Sequence, residues 1–226
     1  MKSMKNVLSL TGIIYLFLTL CSISVNAQTL KDITGKAYKT CQVGMQVWAA
    51  ENLNVDKFRN GDPIPQVKTD SAWDKAGKAG KPAWCYYSND TAHGRKFGKL
   101  YNFFALTDPR GLAPKGWHAP TIYEWTKLVQ NLGGVDVAGI KLKSVTNWKQ
   151  AIPGTNKSGF SAIPGGLRNS NGSFKEVNNK GQWWTSEGDV GSGEERWSMG
   201  LNNIAVQVEY FKMSKAAGLS VRCIKD

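Results

Sequence analysis

The stretch from Pro120 to Gly134, PTIYEWTKLVQNLGG, contains the strongest structural signal in this chain. Thr121 and Glu124 form a capping box, in which each side chain bonds the backbone amide of the other residue. Behind it, four apolar residues recur at helical spacing along one stripe: Trp125, Leu128, Val129 and Leu132. The double glycine at the end favours the left-handed backbone that stops a helix. The stretch therefore predicts an amphipathic helix packed on a core.

The sequence after residue 160 changes its period and indicates strands. Successive side chains of a strand point to opposite faces, so a half-buried strand alternates apolar and polar residues. Three runs alternate in this way: Trp197, Met199 and Leu201; Val206, Val208 and Tyr210; Leu219, Val221 and Cys223. Together with the helix, these runs predict an α+β fold whose antiparallel sheet buries one face.

The first half of the chain gives three further structural predictions. Residues 33–53 are typical of a hairpin that turns at Gly44-Met45. Residues 56–82 are rich in proline, glycine and lysine, which predicts a long surface excursion. Residues 100–106, LYNFFAL, predict a second, buried helix that ends near Pro109. The chain thus has two predicted helices, followed by a half rich in strands and glycines.

The first 27 residues have the pattern of a signal peptide. A short basic start precedes an uncharged apolar run from Val7 to Val25, and small residues lead up to Ala27. We predict cleavage after Ala27, so that residues 28–226 form the exported chain and a single domain. An uncleaved membrane anchor and a lipoprotein attached at Cys21 are the alternatives. No later segment is apolar for long enough to cross a bilayer.

The composition of the chain is strongly basic. Its 226 residues include 29 Lys+Arg against 17 Asp+Glu, a formal net charge of +12. Removal of residues 1–27 takes away two lysines and no acid, which leaves +10. A basic intracellular protein would point to nucleic acid, but export and the lack of an arginine-rich block argue against that partner. The charge favours attraction to anionic envelope or polysaccharide surfaces, and an ordinary basic surface is the alternative.

Few residues of the exported chain are suited to metal or redox chemistry. Cys41, Cys85 and Cys223 form no Cys-x-x-Cys pair, and His93 and His118 lie far apart in the sequence. A zinc site needs about four convergent ligands, so we expect no metal. An exported protein meets an oxidising environment, in which two of the three cysteines can pair. We predict a disulfide between Cys85 and Cys223, with three free thiols as the alternative.

The order of several motifs resembles a known family. The motifs are QVWAAENLN (46–54), RNGDPIP (59–65), WCYYSND (84–90), GLAPKGWHAPT (111–121), SGF (158–160), PGGLR (164–168), WWTS (183–186) and SVRC (220–223). This set, spread over residues 32–226, is similar to the Fibrobacter succinogenes major paralogous domain family, a group of exported bacterial proteins. Cys41 stands where that family has an apolar residue, which marks Cys41 as the unpaired thiol of the three.

A second resemblance concerns the fold. The segment from Pro120 to Trp125 and the ending from Gly218 to Cys223 are similar to segments of the formylglycine-generating enzymes, whose fold is a variant of the C-type lectin fold. This likeness implies a C-type lectin-like α+β fold, with two helices packed on twisted antiparallel strands and long loops. Formylglycine formation depends on a pair of cysteines that binds copper. Cys223 matches the later cysteine, but Gly218 stands at the earlier position, so we expect neither catalysis nor a cofactor.

Exposed aromatic rings are the candidates for ligand binding. Sugars stack on flat rings while their hydroxyls bond polar groups nearby. Trp183 and Trp184 are neighbours in a predicted strand, so we expect one ring in the core and the other free for a ligand, with Arg168 included in the same candidate site. We predict an exported or cell-surface module that binds an extracellular glycan. A module that binds a surface protein, or a structural envelope component, is the alternative, ahead of a formylglycine-generating-like oxidase.

Overall fold

The computed structural model describes residues 29–149, 152–188 and 193–226, so the predicted signal peptide lies outside the described residues. The helices are α1 (Asp70–Lys78), α2 (Thr91–Phe97), α3 (Phe103–Leu106), α4 (Ile122–Asn131) and α5 (Val135–Leu142). The strands are β1 (Leu30–Lys31), β2 (Ala37–Tyr38), β3 (Thr40–Val43), β4 (Gln46–Ala49), β5 (Trp84–Cys85), β6 (Leu100–Tyr101), β7 (Trp117–His118), β8 (Gly165–Arg168), β9 (Phe174–Val177), β10 (Lys180–Gly188), β11 (Glu195–Asn202), β12 (Val208–Ser214) and β13 (Ile224–Lys225). Over the described ranges, no helix has the length and apolar character needed to span a membrane.

Two sheets organise the described strands. The larger sheet has the order β12-β11-β10-β8-β9, and the smaller one has the order β3-β4-β13-β7. β1 pairs with β2, and β5 pairs with β6, as two short ribbons. The pairs are antiparallel except for β10 with β8, which is parallel where Gly181 meets Gly166. The fold is therefore mixed α+β, as predicted, and the expectation of a wholly antiparallel sheet is wrong at this one pair.

The helix predicted from the capping box is α4. Thr121 Oγ1 accepts a hydrogen bond from the Glu124 amide at 3.1 Å, and the Glu124 carboxylate accepts one from the Thr121 amide at 2.8 Å. The apolar stripe packs on the core, where Trp125 and Leu128 are fully buried. Beyond the helix, Gly133 adopts a φ of 101°, the left-handed conformation that its lack of a side chain permits. The predicted hairpin is also confirmed, as β3 and β4.

The core consists of two large apolar clusters on opposite faces of the larger sheet. One cluster contains Trp183 and Met199 together with buried residues of α4 and α5. The other contains Trp184 together with residues of β6 and α3 and the segment 217–223. Apolar side chains cover both faces of the sheet at its inner strands β8, β10 and β11, whereas the sequence predicted burial of one face only. The outer strands β9 and β12 are partly exposed.

The sequence-based helix predictions differ from the structure in three places. Residues 56–82 contain α1, which Thr69 caps by accepting from the Ala72 amide and which Trp73 anchors in the core. Residues 100–106 divide into β6 and α3. Asn102 separates the two, because its Oδ1 accepts a hydrogen bond from the Ala105 amide and caps the start of α3. Helix α5 was not predicted, and the described part of the chain has five α-helices where two were expected.

The last alternating run also differs from its prediction. Leu219, Val221 and Cys223 are buried, but they do not form a strand of the larger sheet. Their segment passes between the sheets and makes isolated bridges, such as Tyr101 with Leu219 and Trp183 with Ser220. The chain then enters the smaller sheet as β13. The alternation does not mark a half-exposed strand, because Ser220 and Arg222, which stand between these apolar residues, are buried as well.

Candidate functional site

Trp183 and Trp184 leave opposite faces of β10, as the sequence predicted, but neither ring reaches solvent. Both side chains have no exposed area. The Trp183 indole N–H donates to Asn52 Oδ1 at 2.8 Å in one cluster, and the Trp184 N–H donates to the Tyr101 carbonyl at 2.8 Å in the other. The expectation that one ring stays free for a ligand is wrong, because packed side chains cover both faces of the sheet.

Arg168 is also buried and acts as a structural clamp. Its guanidinium donates to the carbonyls of Gly172, Val67 and Lys68 at 2.7–2.9 Å and contacts Asp70 Oδ1 at 3.1 Å. These bonds tie β8 to the segment that leads into α1, and the guanidinium has no exposed area. The structure therefore does not offer Trp183, Trp184 and Arg168 to a ligand as the sequence analysis expected.

The three cysteines of the described chain are unpaired. Cys85 lies in a small cluster beside α1, whereas Cys223 lies in the cluster around Trp184, so the predicted Cys85–Cys223 disulfide is not formed. Burial raises the pKa of each of these two thiols to about 12. Cys41 is half-buried. Within the described residues, no group of three or more His, Cys, Asp or Glu side chains is arranged to hold a metal ion.

A cavity of about 330 Å³ opens between the β2–β3 region, the end of α2 and the turn at residues 159–163. We call it the basic pocket, because four exposed cationic side chains line it: Lys36, Lys39, Arg95 and Lys96. None of the four forms a salt bridge with a described carboxylate. Glu51 is the one acidic residue of the lining, and its carboxylate accepts a hydrogen bond from the Lys39 amide at 3.0 Å.

A buried arginine lies directly behind the wall of the basic pocket. Arg222 donates to Asn52 Oδ1 at 2.7 Å and to the Ser161 carbonyl at 3.0 Å, and both of these residues line the pocket. The carbonyls of Ala49 and Phe160 accept its remaining hydrogen bonds. Burial lowers the pKa of Arg222 to about 9, and no described carboxylate forms a salt bridge with it. Its charge adds to the positive potential of the pocket.

Asn52 connects this arginine to the core. Its Oδ1 accepts from both Arg222 and Trp183, while its Nδ2 donates to the Phe97 carbonyl at 2.8 Å and to Ser220 Oγ at 3.3 Å. Every hydrogen-bonding position of the amide is thus used, which fixes the pocket wall relative to α2 and the larger sheet. The pocket has a rigid wall and exposed cationic side chains at its rim.

A further lysine supports the pocket from the side. Lys99 is buried, and its ammonium donates to the carbonyl and to Oδ1 of Asn54, a lining residue, at 2.8 and 3.0 Å. The same ammonium lies 4.5 Å from the ring centroid of Trp84. Burial lowers the pKa of Lys99 to about 8. Lys99 positions Asn54 and is not itself part of the open surface.

The comparison with known families follows the same landmarks. Residues 41–225 match the model of the Fibrobacter succinogenes major domain. The chain belongs to this family. No curated protein and no solved structure matches the chain. In this Fibrobacter succinogenes major domain, three motifs quoted above meet at the basic pocket, because Glu51 and Asn52, Gly159 and Arg222 come from three different motifs.

The basic pocket of this Fibrobacter succinogenes major domain is not predicted by any local pattern in the sequence. Its cationic residues come from two segments, 36–39 and 95–96, which only the fold brings together. One signal was available: Arg222 stands in an otherwise apolar segment, between Val221 and Cys223. An arginine at such a place has to find buried partners, and those partners are the residues that shape the pocket.

Proposed function

We propose that this chain is an exported, cell-surface or secreted binding module that recognises an acidic extracellular glycan through the basic pocket and catalyses no reaction. The observation that supports the proposal most directly is the group of four cationic side chains that form no described salt bridge and that have buried Arg222 behind them. Carboxylate or sulfate groups of a polysaccharide would complete the missing charge pairs. The hydroxyl of Thr40, which also lines the pocket, supplies a hydrogen bond for a sugar hydroxyl.

The distribution of aromatic rings shapes the kind of recognition that we propose. Eight of the nine tryptophans are buried, and Trp197 is half-buried. Stacking of sugar rings on exposed tryptophans is therefore not the basis of the proposal. Recognition by charge and hydrogen bonds depends on ionic strength, since screening acts over about 10 Å at 0.1 M salt and about 3 Å at 1 M.

We also propose that the α+β fold is a C-type lectin-like variant. The two segments that carry the likeness to the formylglycine-generating enzymes adjoin paired strands of the smaller sheet: the first follows β7, the second precedes β13, and β7 pairs with β13 through His118 and Ile224. A role without oxidase activity is supported by two features. Cys223 is buried, and Gly218 stands where those enzymes have the other cysteine of the copper-binding pair. A side chain at Gly218 would contact the Trp73 ring at 2.9 Å, so that position is packed against α1.

Binding of purified protein to polysaccharides tests the glycan proposal. We expect binding to a polyuronate such as alginate or polygalacturonate, weaker binding to uncharged dextran, and loss of binding as NaCl rises from about 0.1 M to about 1 M. The double variant Lys39→Gln/Arg95→Gln removes one cation from each side of the pocket and should weaken binding roughly tenfold or more.

The matched control is the double variant Lys157→Gln/Lys175→Gln, which removes the same net charge at exposed positions outside the pocket. Equal loss of polysaccharide binding in both double variants would show that binding depends on the general charge of the protein and not on the basic pocket. Equal binding of polyuronate and dextran would contradict the role of charge. If no glycan binds, the protein-interaction or structural envelope role takes the place of the glycan proposal.

A further inference from the structure

A second cleft lies between residues 31–33, 55–59 and 112–115 and shares no lining residue with the basic pocket. Its volume is about 240 Å³. Val55 and Leu112 form a buried apolar floor, and Ile33, which is 48% exposed, forms one wall. We call it the Arg59 cleft, because Arg59 is one of the residues that line it. The cleft combines an apolar floor with a charged rim, which is the usual composition of a ligand site.

The fold fixes the guanidinium of Arg59 in place. Its Nε donates to the Ala113 carbonyl at 2.9 Å, and its backbone amide donates to the Gly111 carbonyl at 2.7 Å. Gly111 has a φ of 80°, and a Cβ there would lie 3.2 Å from Arg59 Nε, so the absent side chain leaves room for the guanidinium. The two terminal nitrogens of Arg59 have no hydrogen-bond acceptor among the described residues.

The neighbouring Arg110, unlike Arg59, has its guanidinium paired with carboxylates. Arg110 bonds both oxygens of Asp108 at 2.8 and 2.9 Å, reaches Asp62 at 3.3 Å and lies 4.1 Å from the centroid of the Phe58 ring. The carboxylates of Asp62 and Asp108 are thus bound to Arg110. In the described part of the chain, the positive charge of Arg59 has no such counterpart.

The other charged side chains that line the cleft, apart from Asp32, are positively charged as well. Three exposed lysines line the cleft and form no salt bridge with a described carboxylate: Lys31, Lys57 and Lys115. Asp32 is the one carboxylate in the lining, and its oxygens accept hydrogen bonds from Thr34, the Lys36 amide and Tyr38. The cleft therefore presents an unpaired, oriented guanidinium beside apolar surface, with cations around both.

We propose that the Arg59 cleft binds the C-terminal residue of a peptide that ends in an apolar side chain. The terminal carboxylate accepts two parallel hydrogen bonds from the free nitrogens of Arg59, and the apolar side chain packs on Ile33, Val55 and Leu112. A volume of 240 Å³ is below the 300–1,000 Å³ typical of sites that enclose larger ligands, so it suits one side chain better than a long acyl chain. Acidic residues that precede the terminus would face the rim lysines.

The proposal is independent of glycan binding, because the two sites share none of the residues named here. The test uses purified, isotope-labelled protein and NMR titration with the peptide acetyl-Glu-Glu-Leu, once with a free terminal carboxylate and once with a terminal amide. We expect shifts in the backbone amides of residues 31–33 and 55–59 and of Leu112, Ala113 and Lys115, since Pro114 has no amide proton. The amide form should bind about tenfold more weakly or worse, since it lacks the charge that Arg59 recognises.

Two variants and one control complete the test. Arg59→Gln should abolish the preference for the carboxylate, whereas Lys157→Gln, which removes the same charge at a distant exposed position, should keep it. Ile33→Ser should weaken the binding of the acid and of the amide peptide equally. Ile33 is exposed, so this variant keeps the fold intact and still tests the cleft if Arg59→Gln disturbs the loop. Equal binding of acid and amide, or equal loss in Arg59→Gln and Lys157→Gln, would overturn the proposal. Tighter binding of fatty acids with each added methylene would assign the cleft to acyl chains instead.

Discussion

His118 is held between two carboxylates from different parts of the chain. Its Nε2 lies 2.8 Å from Glu124 Oε1, and its Nδ1 lies 2.7 Å from Asp226 Oδ1. Burial alone would lower the pKa of His118, but the hydrogen bonds to both carboxylates outweigh it and raise the pKa above 6.5. Both ring nitrogens can donate only when the ring is protonated. The charged imidazole thus links β7 to the capping residue of α4.

The position of His118 predicts how stability depends on pH. A pKa that is raised on folding stabilises the protein fully below the unfolded pKa of about 6.5, and this contribution is lost as the pH rises through the folded pKa. His118→Gln should therefore lower the urea midpoint more at about pH 6 than at about pH 9. The difference should stay below about 1 kcal/mol, because the ring is partly exposed. An equal effect of the substitution at both pH values would contradict this assignment.

Helix α5 is placed by a close approach of backbone to backbone. Gly139 faces the segment before β12, where a Cβ would collide with the Val206 carbonyl and lie 2.7 Å from the Gln207 carbonyl. Neither carbonyl belongs to a flexible side chain, so the helix itself would have to move. A glycine in mid-helix normally lowers stability by about 1 kcal/mol relative to alanine. Here the glycine is needed, because only a residue without a side chain allows the two backbones to come this close.

We predict that Gly139→Ala destabilises the protein although alanine favours helices. Overpacking of a closed contact typically costs about 1–3 kcal/mol, which exceeds the gain in helix propensity. The measurement is the urea midpoint by circular dichroism. The control is Val137→Ala, at a position of the same helix that is 41% exposed. It should change the free energy of unfolding by no more than about 0.5 kcal/mol. A stabilised Gly139→Ala variant would show that α5 has room to shift.

The elements that could be predicted are those specified by neighbouring residues. The capping box of α4 and the Gly44-Met45 hairpin depend on contacts within a few positions, and both are present. Helix α1 was missed because Thr69 caps a segment that lies among prolines and glycines, and its anchor Trp73 is buried by distant residues. The basic pocket could not be predicted for the same reason, since its parts lie in separate segments of the chain.

The larger sheet joins the two halves of the core through adjacent tryptophans. Trp183 belongs to the cluster with α4 and α5, and Trp184 belongs to the cluster with β6 and α3. Each indole N–H also has a buried acceptor. A single strand thereby couples the packing of both clusters, so the whole molecule should unfold as one cooperative unit.

We predict that Trp183→Ala and Trp184→Ala destabilise the protein to a similar extent. Truncation of a buried tryptophan typically costs about 3–5 kcal/mol. Urea unfolding followed by circular dichroism and by fluorescence should give coincident transitions in both variants. Tyr123→Ala, which removes a ring that is 65% exposed, is the control and should have little effect. A small effect of one tryptophan variant, or two separate transitions, would contradict the coupling of the clusters.

The smaller sheet has a consequence for the order in which the chain can fold. Trp48 of β4 pairs with Ile224 of β13, and β13 also pairs with β7, so β13 lies inside the sheet. A ribosome adds residues from the N-terminus at about 5–20 per second, and β4 therefore waits seconds for its partner. Until residue 225 has left the ribosome, β4 and β7 both lack a neighbour. The smaller sheet thus stays incomplete until β13 emerges, and the unpaired strand edges of such a partly folded chain are surfaces that chaperones bind.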